Sequence, residues 1–215
     1  MKNKRMLLRM SVLLAAIATV AAGCQLFAIP FADRDPKRTI PAEYHLTAER
    51  LLIFPYVSYD ISYDFPTLPL DLIQQVMLRL SKDDITGVID PREVIVYQQN
   101  NLDWQSMPIE RIGRLFNADK VLYIELESFR LMELQSANLY RARAEATIQV
   151  VDLTADDIAT VPYEGSASLV LPHDRPIGTS EISAAQMYQV TLIHLAEKVA
   201  NKFYDHQERV FTGGR

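Results

Sequence analysis

Two segments alternate residue by residue between apolar and polar side chains, and they constrain the fold of this chain more than anything else in it. In "VLYIELESF", Leu122, Ile124 and Leu126 alternate with Tyr123, Glu125 and Glu127. In "YRARAEATIQV", Ala142, Ala144, Ala146, Ile148 and Val150 alternate with Arg141, Arg143, Glu145, Thr147 and Gln149. Successive side chains of a strand point to opposite faces, so each segment reads as a strand with one dry face and one wet face. "QSAN", residues 135 to 138, lies between them, and an antiparallel hairpin is the economical connection.

The remaining elements follow from apolar spacing and turn chemistry. "RLLIFPYV", residues 50 to 57, is an apolar run bounded by polar residues and reads as a buried strand, with Pro55 pushing it toward a sheet edge or an early end. "SYDISYDFPTLP" breaks that pattern and reads as a loop. Thr67 as a cap and Pro69 in the first turn open a helix whose Leu72, Ile73, Val76, Met77 and Leu80 share a face, ending near Lys82. "DDITGVIDP" is a turn, and "REVIVYQQ" reads as a second strand. Ser106 and Pro108 open a short helix carrying Ile109, Ile112, Leu115 and Phe116, and "EGSASLVLP" reads as the last strand. Ser183 and Gln186 have capping-box spacing, after which Tyr188, Leu192, Leu195, Val199 and Phe203 mark the stripe of a long closing helix. The expectation is a single α/β (α+β) domain in the order β-α-β-α-β-β-β-α. Its mixed sheet has about five strands, with helices packed on one face because the wet strand faces cannot be covered too.

The amino terminus carries an address. Lys2, Lys4, Arg5 and Arg9 precede an uncharged run from Met10 to Ala22, a signal-peptide layout whose apolar part spans about 20 Å as a helix, short of the ~30 Å of a bilayer core. The run closes with Ala21, Ala22 and Gly23, followed by Cys24, the only cysteine of the 215 residues. This resembles the lipobox of bacterial lipoproteins, although Ala21 stands where that family most often has leucine. The resemblance implies cleavage between Gly23 and Cys24 and acylation of Cys24, which makes the bilayer itself a partner; two or three acyl chains anchor stably where one does not. Gln25 occupies the place where aspartate signals inner-membrane retention in enteric bacteria. The expected location is therefore the outer membrane, facing the periplasm, with the inner membrane or the cell surface as alternatives. An ordinary secreted protein cut near Gly23 is the competing reading.

With residues 1–23 removed, 18 basic and 27 acidic side chains remain, a formal charge of −9. Such a balance disfavours a general nucleic-acid binder, which neutralises phosphates with Lys and Arg. Residues 24–46, with Pro30, Pro36 and Pro41, suit the lipidated cysteine and an extended tether, or in their later part padding for the domain; 47–208 form the globular part and 209–215 a flexible tail.

Catalytic and metal motifs fail at the level of spacing. "EGSAS" lacks the second glycine of a nucleophile elbow, and His45, His173, His194 and His206 form no zinc pattern. His194 and Glu197 are one pair at helical spacing, better read as a solvated flank. The seven glycines form no phosphate cradle, and Asp83, Asp84 and Asp90 around Gly87 lack the alternation of a calcium loop. No cofactor, no metal and no enzymatic activity are expected. Candidate partner contacts are Tyr59 and Tyr63, two Tyr-Asp pairs four residues apart, which contact a partner or pack under their loop. Lone Trp104 is either an anchor for the short helix or a partner contact. Arg141 and Arg143 on the wet face form a docking surface or a cross-strand charge ladder.

The order of elements together with "FNADKVLYIELESF" resembles a group of bacterial envelope proteins: the TolB amino-terminal domain, the curli-secretion lipoproteins and the lipoprotein activators of penicillin-binding proteins. In these a helix ends in an alanine-aspartate turn, as at Ala118 and Asp119, and leads into a central strand and hairpin. Over residues 47–206 the resemblance implies a binding or assembly protein without catalysis, an accessory component of an envelope machine with an envelope protein as partner. Its oligomeric state stays open. An auxiliary lipoprotein of a lipid or solute transporter, with an apolar groove between sheet and helices, and a hydrolase whose catalytic groups meet only in space are the alternatives.

Overall fold

In the computed structural model, which describes residues 37–83, 85–154 and 159–209, the two alternating segments form the longest strands. The elements in chain order are β1 (Lys37–Ile40), β2 (Leu51–Val57), α1 (Tyr59–Asp64), α2 (Leu68–Leu80), α3 (Pro91–Asn100), α4 (Ile109–Leu115) and β3 (Lys120–Met132). There follow β4 (Leu139–Asp152), β5 (Thr160–Leu171), β6 (Ile177–Gly178), α5 (Ala184–Ala200) and β7 (His206–Arg209). The leader, Gly23 and Cys24 lie outside the described residues. The chain divides into two units, a small one in which β1 and β7 form a two-stranded sheet, and a main unit, Pro41–His206.

The main unit is a mixed sheet in the order β2-β3-β4-β5, with the short β6 beside β4. β2 runs parallel to β3, and the β3–β4, β4–β5 and β4–β6 pairs are antiparallel. The hairpin expected across residues 135–138 is present, with Met132 opposite Tyr140. The dry face of the sheet packs under α5, which lies over β3, β4 and β5, and under α2, which lies over β2 and against α5. Leu122, Ile124, Ala144 and Ile148 have no solvent exposure, nor have Leu72, Ile73 and Val76 of α2 or Leu195 and Val199 of α5. Small side chains at Ala142, Ala144 and Ala146 let the helix layer sit close. The capping box at Ser183 and Gln186 is formed, and the buried Thr191 hydroxyl donates to the Met187 carbonyl at 2.7 Å.

The other face is covered at one end. β2 is buried on both sides because Trp104, in a 3₁₀ turn at Trp104–Ser106, lies edge-on to Phe54 and Tyr56 with ring centroids 5.2 and 5.8 Å away. α4 packs beside it, so close that a Cβ on Gly113 would stand 2.5 Å from Val121 and 2.4 Å from Leu153. Beyond that end the wet face is open.

Two expectations need correction. "REVIVYQQ" is helix α3, not a strand: the Asp90 carboxylate accepts the Arg92 N–H at 2.8 Å and Pro91 fills the first turn, so a complete cap outweighs β-branched composition. "SYDISYD" is not a loop but contains the short helix α1. Tyr44 and Leu46 lie in the main unit, where Leu46 is buried and the Tyr44 ring lies 6.0 Å from that of Tyr163.

Pro55 does mark a sheet edge, and that edge is sealed. Leu51 bonds Gly87 and Ile89 through its backbone at 2.8 and 2.9 Å, and the Gln98 amide of α3 donates to the Pro55 carbonyl at 2.8 Å. The Asp119 carboxylate of the alanine-aspartate turn accepts the N–H groups of Glu49 and Arg50 at 3.1 and 2.8 Å, which fixes the start of β2 against β3.

Candidate functional site

Only Ser58 separates β2 from α1, whose i, i+4 spacing sets Tyr59 above Tyr63 and Asp60 above Asp64. The tyrosine rings lie 6.3 Å apart and are 78% and 76% exposed, so they do not pack under the segment. What holds so short a helix is the residue after it. The Phe65 ring stacks on Tyr188 at 5.8 Å and meets Phe129 edge-on at 5.0 Å, while the Ser62 hydroxyl donates to the Val57 carbonyl at 3.4 Å. Two large aromatics are therefore presented to solvent from an anchored support.

A shallow depression of about 380 Å³ joins α1 to the sheet, lined by Asp60, Ile61 and Asp64 on one side and by Glu127, Ser128, Phe129 and Arg130 of β3 on the other. Register shifts after Leu126, and the Glu127 carboxylate accepts the Thr147 hydroxyl. Three carboxylates thus border this depression, with Arg130 as its cation, and Asp60 and Asp64 also line a second one with the tyrosine pair.

Arg130 leads to the arginine end of the wet face. It stands directly opposite Arg143, and Arg141 is two residues along the same strand. Like charges face one another there, which Glu133 offsets by sharing its oxygens, 3.5 Å to Arg141 and 3.8 Å to Arg143. Arg141 also donates to the His173 carbonyl at 3.4 Å. At the covered end of this face, opposite Phe54, Tyr123 is pushed up to about 12, by burial first and then by Glu125.

A separate polar cluster is structural. Lys120 is only 8% exposed, and its ammonium donates to the Tyr44 hydroxyl at 2.8 Å and pairs with Asp152 at 3.2 Å. Burial alone would lower the Lys120 pKa, but the bonds to Tyr44 and Asp152 outweigh it and raise it. Burial would raise that of Asp152, but hydrogen bonds from Thr154 and Lys120 bring it below the usual carboxylate range. Nearby, Glu43 accepts from Lys202 at 2.7 Å and from the Tyr163 hydroxyl at 2.8 Å, and the Lys202 bond foremost holds its carboxyl below the ordinary value. These bonds clamp the segment that starts at Pro41.

Of the residues singled out from sequence, Tyr59 and Tyr63 lie on open surface, Arg141 and Arg143 are half-buried on the wet face, and Trp104 is half-buried and serves as the anchor of its turn. His194 and Glu197 are 3.4 Å apart on a solvated helix flank. Among the described residues no group of three or more His, Cys, Asp or Glu side chains could hold a metal. Spacing missed Glu133, which sits beyond a second register shift of β3, and Arg130, whose partner depends on the shift after Leu126.

No protein-family model matches the chain, and no curated protein matches it. Solved structures with a similar path include a leucine-to-methionine variant of the PelC dodecamer from Paraburkholderia phytofirmans. It has 13% identity and a TM-score of 0.46, over 79% of this chain and 98% of that one. Lipoprotein GNA1162 from Neisseria meningitidis has 18% identity and a TM-score of 0.43, over 71% and 98%. At such values neither likeness carries an activity or a partner to this chain. No described helix is long and apolar enough to cross a membrane.

Proposed function

We propose that the chain is a non-enzymatic binding component of a bacterial cell-envelope assembly, held on the outer membrane through acylated Cys24. Its docking surface is the exposed face of α1, and the occupant is a partner protein presenting lysine or arginine beside apolar side chains. The observation that carries this is the exposure of Tyr59 and Tyr63 at 78% and 76% on an anchored helix. Asp60 and Asp64 beside the rings favour a cationic partner, and tyrosine faces attract cations as well. The leader supports the anchor. A transporter role needs an apolar groove between sheet and helices, but that space is filled by fully buried side chains such as Leu72, Ile73, Ile124 and Leu195.

The test places a photo-crosslinking residue at Tyr63 of the lipidated chain in intact cells, with the exposed Leu102 as control. Expected is an adduct specific to position 63 that disappears when Asp60 and Asp64 are replaced by lysine. Equal labelling from both positions, or adducts indifferent to the charge reversal, overturns the docking surface. An unmodified Cys24 thiol on the mature chain overturns the anchor.

A further inference from the structure

We infer that β5 is a self-association edge, on which a second copy of this chain adds an antiparallel β5 across a two-fold axis at Ala167. β5 is the last strand of the sheet, and among the described residues no strand pairs with its outer side. The opposite edge, β2, is sealed by backbone bonds and by Gln98. On β5 the usual guards, Pro162 and Glu164, stand only in the first half; "GSASLVL", residues 165 to 171, has no charge, no proline and no register shift against β4. A regular, uncharged strand edge is a template for another strand.

Charge complementarity selects the second copy and its register. On the wet face Val170 stands opposite Arg143 of β4, and Glu164 opposite Gln149, whose amide donates to it at 3.3 Å. A two-fold at Ala167 sets Glu164 of one copy opposite Val170 of the other, and Ser166 opposite Ser168. Glu164 then lies two strand spacings, about 10 Å between backbones, from the other copy's Arg143, within joint reach of the two side chains. It brings a carboxylate to an arginine end where Arg130, Arg141 and Arg143 have Glu133 between them. A two-fold one residue earlier, at Ser166, would instead put Glu164 opposite Ser168, beside Glu145. On the dry face Leu169 of each copy meets Gly165 of the other. The axis keeps both helix layers on one side and joins two wet faces into one surface, an interface separate from α1.

Because Cys24 is the only native cysteine, a cysteine at position 167 reports the contact directly. At the axis the two Cα atoms stand ~4.5–5.5 Å apart, within disulfide range. Expected is that A167C in the membrane-bound chain gives a disulfide-linked homodimer on mild oxidation, while L102C does not. E164R should lower the dimer yield about tenfold, and E164R with R143E should restore it. Sedimentation of the detergent-solubilised native chain should give a dimer mass. Equal linkage at positions 102 and 167, linkage of A167C to a different protein, or a monomer mass at tens of micromolar overturns the inference.

Discussion

At the residue scale, the most informative groups are those whose surroundings decide what their chemistry does. Asp152 and Lys120 pair beneath the Tyr44 ring and hydroxyl, with side chains 23% and 10% exposed. The depressed carboxyl of Asp152 contributes stability above the ordinary aspartate range, near pH 4, which is lost as pH falls through the lowered folded value. The raised Lys120 contributes fully below about pH 10, and that is lost as pH climbs through its folded value. D152N should therefore flatten the acid limb of the stability curve and cost about 1–2 kcal/mol at neutral pH, read from urea unfolding at several pH values. Tyr59 and Tyr63 are the contrast: Y59A and Y63A should each change stability by less than about 0.5 kcal/mol in the same measurement. A large loss of stability would mean that the rings support the fold and would remove the reason to read them as contacts. Their exposure was not legible from "SYDISYDF", because the same letters suit a ring tucked under a loop. Phe65, Phe129 and Tyr188, brought together from three elements, decide it.

At the element scale, local capping and distant packing compete with composition. "REVIVYQQ" carries the β-branched residues of a strand, yet Asp90 and Pro91 start a helix whose Val94 is buried and whose Gln98 closes the edge of β2. D90A should lower stability by about 1 kcal/mol, with part of the helical circular dichroism lost before the main transition. Gly87 belongs to the same device. A Cβ there would stand 1.9 Å from the Glu49 carbonyl, so G87A should push Val88 off Leu51 and cost about 1–3 kcal/mol in thermal unfolding. Neither bond partner could be read from spacing, because the bridge joins residues on opposite sides of α1 and α2. The hairpin and the closing helix were legible because their signals are local: alternation in β3 and β4, and a reciprocal cap at Ser183.

At the scale of the whole molecule, the proposed anchor and the folded unit make separable predictions. C24S should move the chain from the membrane to the soluble fraction without changing its unfolding midpoint, since each buried acyl methylene contributes about 0.8 kcal/mol to attachment and nothing to the core. A chain that stays with the membrane would be held by something other than the lipid. Gly113, pressed between Val121 and Leu153, shows how the molecule departs from a purely one-sided helix layer: α4 and Trp104 cover the end of the second face where β2 and β3 are apolar on both sides. What the amino-acid sequence determined by itself was the two-faced hairpin and the helix layer over its alanines. Both rest on periodicity within a few neighbouring residues. What only the tertiary structure decided was which polar residues meet: Arg130 with Arg143, Glu133 between two arginines, and Asp60 and Asp64 across a depression from Glu127. A register shift, a hairpin and a crossover each bring together positions far apart in the chain, and no local pattern encodes where those positions land.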